Sequence, residues 1–373
     1  MTSVNRRWEL EAMRGVAIMG VVLIHVISMG IAVQYPDHAG WGGQMEAGVL
    51  PLVWASAWGR FSVPMFLFVS GLLITYRLKD KPISYPSLIL KRGSDLLLPY
   101  LLWTVIGLLF TWFMINPWGL QHLVVALVLG KGYFHQLYFI PLLLQCIILL
   151  PLWIKGLRWN VGGFLLIIGS IQLLYTAAYQ LLFLSSFDYI PASLGKAWEI
   201  LIAPTLFGMM GYFVLGLAVG LHFEKCLQYV KNKSLAFCTS VYLASLIIQL
   251  ADVHLSFSIS SDLGNSIHFY RVTVFVYVCC TILLVWKCAL VFAESRWMKG
   301  IMNLGQYAFF IFLAHVLILE SLEFHSSAWY GSYWSVLVTT VLTMLLCIGV
   351  QYIGNKLAPR RSVRSPVGMF FGK

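Results

Sequence analysis

The apolar run RGVAIMGVVLIH carries an ionisable residue at each end, Arg14 and His25. Eleven helical residues advance about 17 Å and return to within about 20° of the starting face. The two side chains therefore share one face of a helix, with a cation at one end and an imidazole three turns further in. A neutral imidazole in a partly desolvated site is a good general base near neutral pH, and a guanidinium at the entrance is an anion site. If the run crosses a membrane with Arg14 at its boundary, His25 lies near the midplane. An ionisable group there is costly, and faces the protein interior or a wet cavity. The alternative is a structural histidine satisfied by a polar partner on a neighbouring helix.

The rest of the chain says what must position this pair. Of 373 residues, 60% are hydrophobic and only 10% charged, and the mean hydropathy is +0.83. Soluble domains carry about a quarter charged residues, so this chain cannot clothe itself in a polar surface. It reads as an all-α polytopic membrane protein. A span needs about 20 apolar residues, and ten segments qualify: 14–34, 55–76, 97–116, 137–155, 162–181, 201–221, 235–251, 271–293, 301–321 and 334–354. No small-residue cleavage site follows the first, which is expected to stay in the mature protein. The reading is one transmembrane domain over 1–373, with a basic tail at 355–373 and no appended soluble domain.

Charge sets the expected orientation. With the N-terminus cytoplasmic, 20 of the 25 basic residues fall on one side. Arg60, Lys131, Lys196 and Arg271 remain for the other, and Lys287 lies inside a span. The positive-inside rule thus favours a multi-pass plasma-membrane protein with both termini cytoplasmic. The net charge of +11 is accounted for by topology, and no nucleic-acid partner is expected. Seven cysteines show neither metal-ligand spacing nor a disulfide framework and read as small packing residues. The outer connections are rich in aromatic residues, Ser, Gly and His, with acids such as Asp37, Glu46, Asp188, Glu199, Asp252 and Asp262. Such surfaces stack on sugars, although Trp and Tyr also anchor proteins at membrane interfaces.

The stretch LEAMRGVAIMGVVLIH resembles the first-helix signature of the membrane-bound acyltransferase 3 family, in which Arg or Lys, ten residues and His follow an acidic lead-in. GRFSVPMFLFVSGLLIT, KRGSDLLLPYLLWT, HQLYFIPLLLQCIILLP and LGQYAFFIFLAHVLIL are similar to later helices of that family, in the family's order. The resemblance implies transfer of an acetyl, succinyl or other short acyl group from cytoplasmic acyl-CoA, acetyl-CoA in the first instance, to a hydroxyl of an extracytoplasmic or lipid-linked glycan. It implies His25 as the catalytic residue and Arg14 as part of the donor site, with no metal.

Lys91 and Arg92, beside the third-helix entry, are the further candidates for CoA phosphates, although topology alone also explains them. The family often shows Arg-x-x-Arg here, whereas Gly93, Ser94 and Asp95 follow Arg92. Arg60, His315, Glu320 and Arg271 are the candidates for the acceptor. Arg60 also reads as an interfacial anchor, and His315 as a structural histidine. Ser70 reads either as a relay hydroxyl or as a small packing residue. Expected partners are membrane lipid, the glycan or lipid-linked sugar, and polysaccharide-synthesis machinery. A different class of protein also fits a buried Arg–His pathway: a transporter or exporter of a polysaccharide or lipid-linked sugar.

Overall fold

The computed structural model describes residues 7–34, 50–78, 84–114, 135–181, 206–260, 266–326, 333–357 and 370–371. Outside these lie most of the connections expected on the outer side, with Asp37, Glu46, Asp188, Glu199 and Asp262, and the basic tail apart from residues 355–357 and 370–371. Among the described residues the fold is helical with no strand. The elements are α1 (Trp8–Gln34), α2 (Leu50–Gly59), α3 (Ser62–Leu78), α4 (Tyr85–Met114), α5 (Phe139–Ile148), α6 (Leu150–Trp159), α7 (Val161–Tyr179), α8 (Leu206–Leu221), α9 (Phe223–Asn232), α10 (Leu235–Ser260), α11 (Val272–Val291), α12 (Arg296–Ser326) and α13 (Tyr333–Leu357). A 3-10 turn, His135–Tyr138, leads into α5.

Eight of these segments are long and apolar enough to cross a membrane, α2 and α3 together forming one of them. Counting each bent pair as one span brings the number to ten. The pair α5 and α6 bends by 54° where Pro151, at the start of α6, has no N–H to continue the preceding helix. The pair α8 and α9 turns by 95°. The sequence of α9, FEKCLQYVKN, explains the turn: Phe223, Leu227 and Val230 are buried on one face, while Glu224, Lys225, Lys231 and Asn232 are exposed. Such a helix lies along an interface rather than through a membrane. Lys287 is buried, and its ammonium donates to the Lys231 carbonyl at 2.9 Å. All seven cysteines are free thiols.

Small residues decide which helices meet. A Cβ on Gly15 would strike the Ile301 carbonyl, and one on Gly305 would strike the Glu11 carbonyl. Because a helical Cβ tilts toward the N-terminus, this reciprocal pattern means that α1 and α12 run parallel with Gly15 and Gly305 at one level. The pair α3 and α8 interlocks in the same way through Gly71, Gly216 and Gly220, and Thr75 Oγ1 donates to the Leu217 carbonyl at 2.9 Å. In a lipid environment, where apolar burial does not drive helices together, such close approach is what holds them. At the end of the chain Phe370 stacks on Trp103, whose Nε1 donates to the Phe370 carbonyl at 2.9 Å.

A Gly305→Leu substitution is expected to pry α1 from α12 and cost about 1–3 kcal/mol, read as a lowered unfolding midpoint in detergent. Gly300→Leu, on the same helix but facing open space, is expected to leave the midpoint unchanged or raised.

Candidate active site

The glycine register carries the two helices forward in step. Ten residues beyond Gly15 and Gly305, about 15 Å further along each axis, stand His25 and His315. Their rings meet with centroids 5.0 Å apart, tilted by 50°. His315 is fully buried, and its Nδ1 lies 2.9 Å from the carbonyl oxygens of both Ile311 and Phe312. Carbonyls only accept, so Nδ1 carries the hydrogen and donates it, which leaves Nε2 as the basic nitrogen of the neutral ring. His25 is half-buried.

A cavity of about 400 Å³ opens at the end of the bundle where Arg14, Arg77 and Arg92 gather. Its wall continues inward through Ser70, Val69, Leu143 and Phe309 to the rings of Phe66, Phe139 and Phe312. Each contributing helix supplies one stripe: Phe66, Ser70, Leu73 and Arg77 on α3, Phe139, Leu143 and Ile147 on α5, and Ala308 and Phe312 on α12. These spacings of three and four place the residues on one face of each helix. Arg14 is held by Glu11 at 3.3 Å. Arg92 lies within electrostatic range of Arg77 and Asp95. Arg77 thus stands in space beside Arg92, where the linear motif lacked its second cation. Lys91 is exposed and lies outside the cavity wall.

The structure separates what the sequence put on one helix face. Arg14 lines the cavity; His25 is not in its wall and lies beyond the Phe66–Phe139–Phe312 row. His315, grouped with the acceptor residues on sequence grounds, stands beside His25 instead. Glu320, five residues further along α12, projects about 140° round the helix from His315 and is partly buried.

Arg60 sits in the turn between α2 and α3, buried, with Nη2 donating to Ser56 Oγ at 3.3 Å. Its guanidinium lies 4.5 Å over the Phe269 ring and faces Tyr138, while Nε has no partner. Gln136, on the 3-10 turn one helical turn before Phe139, is buried with neither amide oxygen nor amide nitrogen paired. Buried amides without partners are rare and costly. Arg271 is occupied differently: it forms two bonds to Asp252, Nη2 to Oδ1 at 2.6 Å and Nε to Oδ2 at 2.7 Å, and a third to Ser256 Oγ at 3.0 Å. Thr273 Oγ1 also donates to Asp252, at 2.7 Å. That geometry joins the end of α10 to the start of α11.

In the sequence Arg77 reads only as a topology charge, and Gln136 and the three phenylalanines do not stand out. The signals available were faint. Gln136 is a polar residue at the head of an apolar run, and Phe139, Leu143 and Ile147 repeat every four residues like any packed helix.

The acyltransferase 3 family model, described as "Acyltransferase domain", matches residues 7–352. Two Staphylococcus aureus relatives, from strains MSSA476 and Mu50, are each named "Probable poly-beta-1,6-N-acetyl-D-glucosamine export protein". They are 23% and 24% identical over 359 residues, which is 93% of this chain and 92% of theirs.

Between α10 and α11, His268 Nδ1 accepts from the Tyr270 N–H at 3.1 Å. Burial, then the charges of Arg60 and Arg271, press its pKa from 6.5 to about 3. The folded state therefore binds this proton less readily than the unfolded chain. The stability conferred by neutral His268 is complete above pH 6.5 and drains away as pH falls toward about 3. His268→Gln, which cannot titrate, is expected to flatten the acid-side slope of the unfolding midpoint. Asp252→Ala strands a buried guanidinium and is expected to cost about 3 kcal/mol, measured by the same midpoint.

Proposed function

The chain belongs to the acyltransferase 3 family, and from that premise we propose that it moves a short acyl group from acyl-CoA to a hydroxyl of an extracytoplasmic or lipid-linked glycan. The observation that carries the reading is the cavity that begins at three arginines and ends one helical turn beneath the His25–His315 pair. Its cationic mouth suits the phosphates of CoA, and its apolar throat suits the pantetheine arm. The arginine end faces the cytoplasm, where acyl-CoA is made. The named property of the relatives supports a polymer of N-acetylglucosamine as the acceptor.

In this reading the phosphates rest against Arg14, Arg77 and Arg92, and the thioester is delivered toward His25. His25 takes the proton of the acceptor hydroxyl as its oxygen attacks the thioester carbonyl. The C–O bond forms, the C–S bond breaks, and the proton passes to the departing thiolate. His315 positions His25 and cannot leave its tautomer without giving up the two carbonyls that hold Nδ1–H. The Gln136 amide and Arg60 Nε, both without partners, are donors suited to the oxyanion of the tetrahedral intermediate.

The word "export" in the relatives' name favours a second reading, movement of a polysaccharide through the bundle. Thioester cleavage separates the two. Purified protein given acetyl-CoA and an N-acetylglucosamine oligomer is expected to release free CoA and acylate the oligomer, and His25→Ala to abolish both. Full turnover by His25→Ala would refute the proposed base. Arg77→Ala is expected to raise KM for acyl-CoA about tenfold with kcat little changed, as loss of a charge-assisted phosphate contact should, while Lys91→Ala stays near wild type. Gln136→Leu is expected to raise the unfolding midpoint, since it removes an unsatisfied amide, yet to lower kcat by about 10²-fold.

A further inference from the structure

The cavity's inner end is closed by aromatic rings, not by the histidines. Phe139 meets Phe66 with centroids 6.1 Å apart and Phe312 with centroids 5.4 Å apart. Phe312 in turn lies 6.3 Å from the His315 ring. The register on α12 sets the scale: Phe312 precedes His315 by three residues, about 4.5 Å of helix. Phe139 and Phe312 are both buried. The row thus lies between the donor cavity and the His25–His315 pair, and a thioester carbonyl must pass it to reach His25.

We propose that Phe66, Phe139 and Phe312 are the acyl-length determinant of the enzyme, a barrier that admits a two-carbon acyl group and rejects longer chains. This rests on the acyltransferase reading of the preceding subsection. The physical ground is what lies on each side of the row. Below it the throat at Val69, Leu143 and Phe309 is apolar, and in that reading it holds the pantetheine arm. Above it stand His25, the buried His315, and, one turn beyond Phe139 on its own segment, Gln136. An alkyl tail carried past the rings would lie against the buried Gln136 amide, which has no partner, and one held below would keep its carbonyl out of reach of the imidazole. Ring packing at buried positions is dense and yields little to an extra methylene. Removing one ring makes room for the tail beside the carbonyl without touching the arginines that hold the phosphates.

The test uses the full-length protein in detergent, with acetyl-, butyryl- and hexanoyl-CoA as donors and an N-acetylglucosamine oligomer as acceptor, reading release of the CoA thiol. Wild type is expected to favour acetyl over butyryl by about 100-fold or more in kcat/KM, and over hexanoyl by more, in keeping with discrimination of about tenfold or more per methylene in a tight pocket. Phe139→Ala and Phe312→Ala are expected to narrow that preference at least tenfold. If either alanine variant fails to purify as a monodisperse species, Phe139→Leu and Phe312→Leu are read by the same ratio, with a smaller narrowing expected. An unchanged chain-length preference in variants that still turn over acetyl-CoA overturns the barrier alone. A wild-type protein that consumes none of the three thioesters overturns the acyltransferase reading, and the barrier with it.

Discussion

Two glycines facing each other across parallel helices set the geometry on which the site depends. Where Gly15 and Gly305 meet, α1 and α12 touch backbone to backbone, each carbonyl lying where the partner's side chain would begin. That contact fixes the axial register. Register is then transmitted rigidly, because a helix rises by the same increment at every residue. Ten residues on, the two imidazoles arrive at one level and their rings meet. A shift of one residue at the glycines would turn one ring away by about 100°, and no local interaction at the histidines could restore the pair.

The same economy governs the polar groups inside the bundle. In a membrane-spanning segment an unsatisfied polar group is costly, and most here have partners that serve architecture. Arg271 is spent on Asp252 and Ser256, Thr75 on the Leu217 carbonyl, and Lys287 on the Lys231 carbonyl. Arg60 Nε and the Gln136 amide are among the buried polar atoms without a hydrogen-bond partner. They come from the two segments, the α2–α3 turn and the 3-10 turn before α5, whose next turns contribute Phe66 and Phe139 to the end of the cavity. Polar capacity unspent near a cavity's end is what a site for a transient charge requires.

How much of this was legible in the chain differs from residue to residue. Hydropathy located the long helices, because twenty apolar residues in a row have few other uses. Arg14 and His25 could be paired because both lie on one helix, where the 3.6-residue period relates them without any knowledge of neighbours. The bends were harder: α9 is amphipathic in its sequence, but only its place at the foot of α8 shows it turning across the bundle. His315 was recognisable as a buried histidine, and Arg77 as a basic residue at a helix end. Neither carries a local mark saying which residue it faces.

The sequence by itself determined the membrane setting, the helices, and the face that Arg14 shares with His25. Those follow from transfer energies and from the pitch of a single helix, which are local properties. Only the tertiary structure decided that His25 has His315 beside it, that Arg77 joins Arg92 at the cavity mouth, and that three phenylalanines stand between the arginines and the imidazoles. These are facts about which face of one helix meets which face of another. Such choices are made by small residues that let backbones approach, and a glycine in a sequence does not name the helix that will fill its empty side.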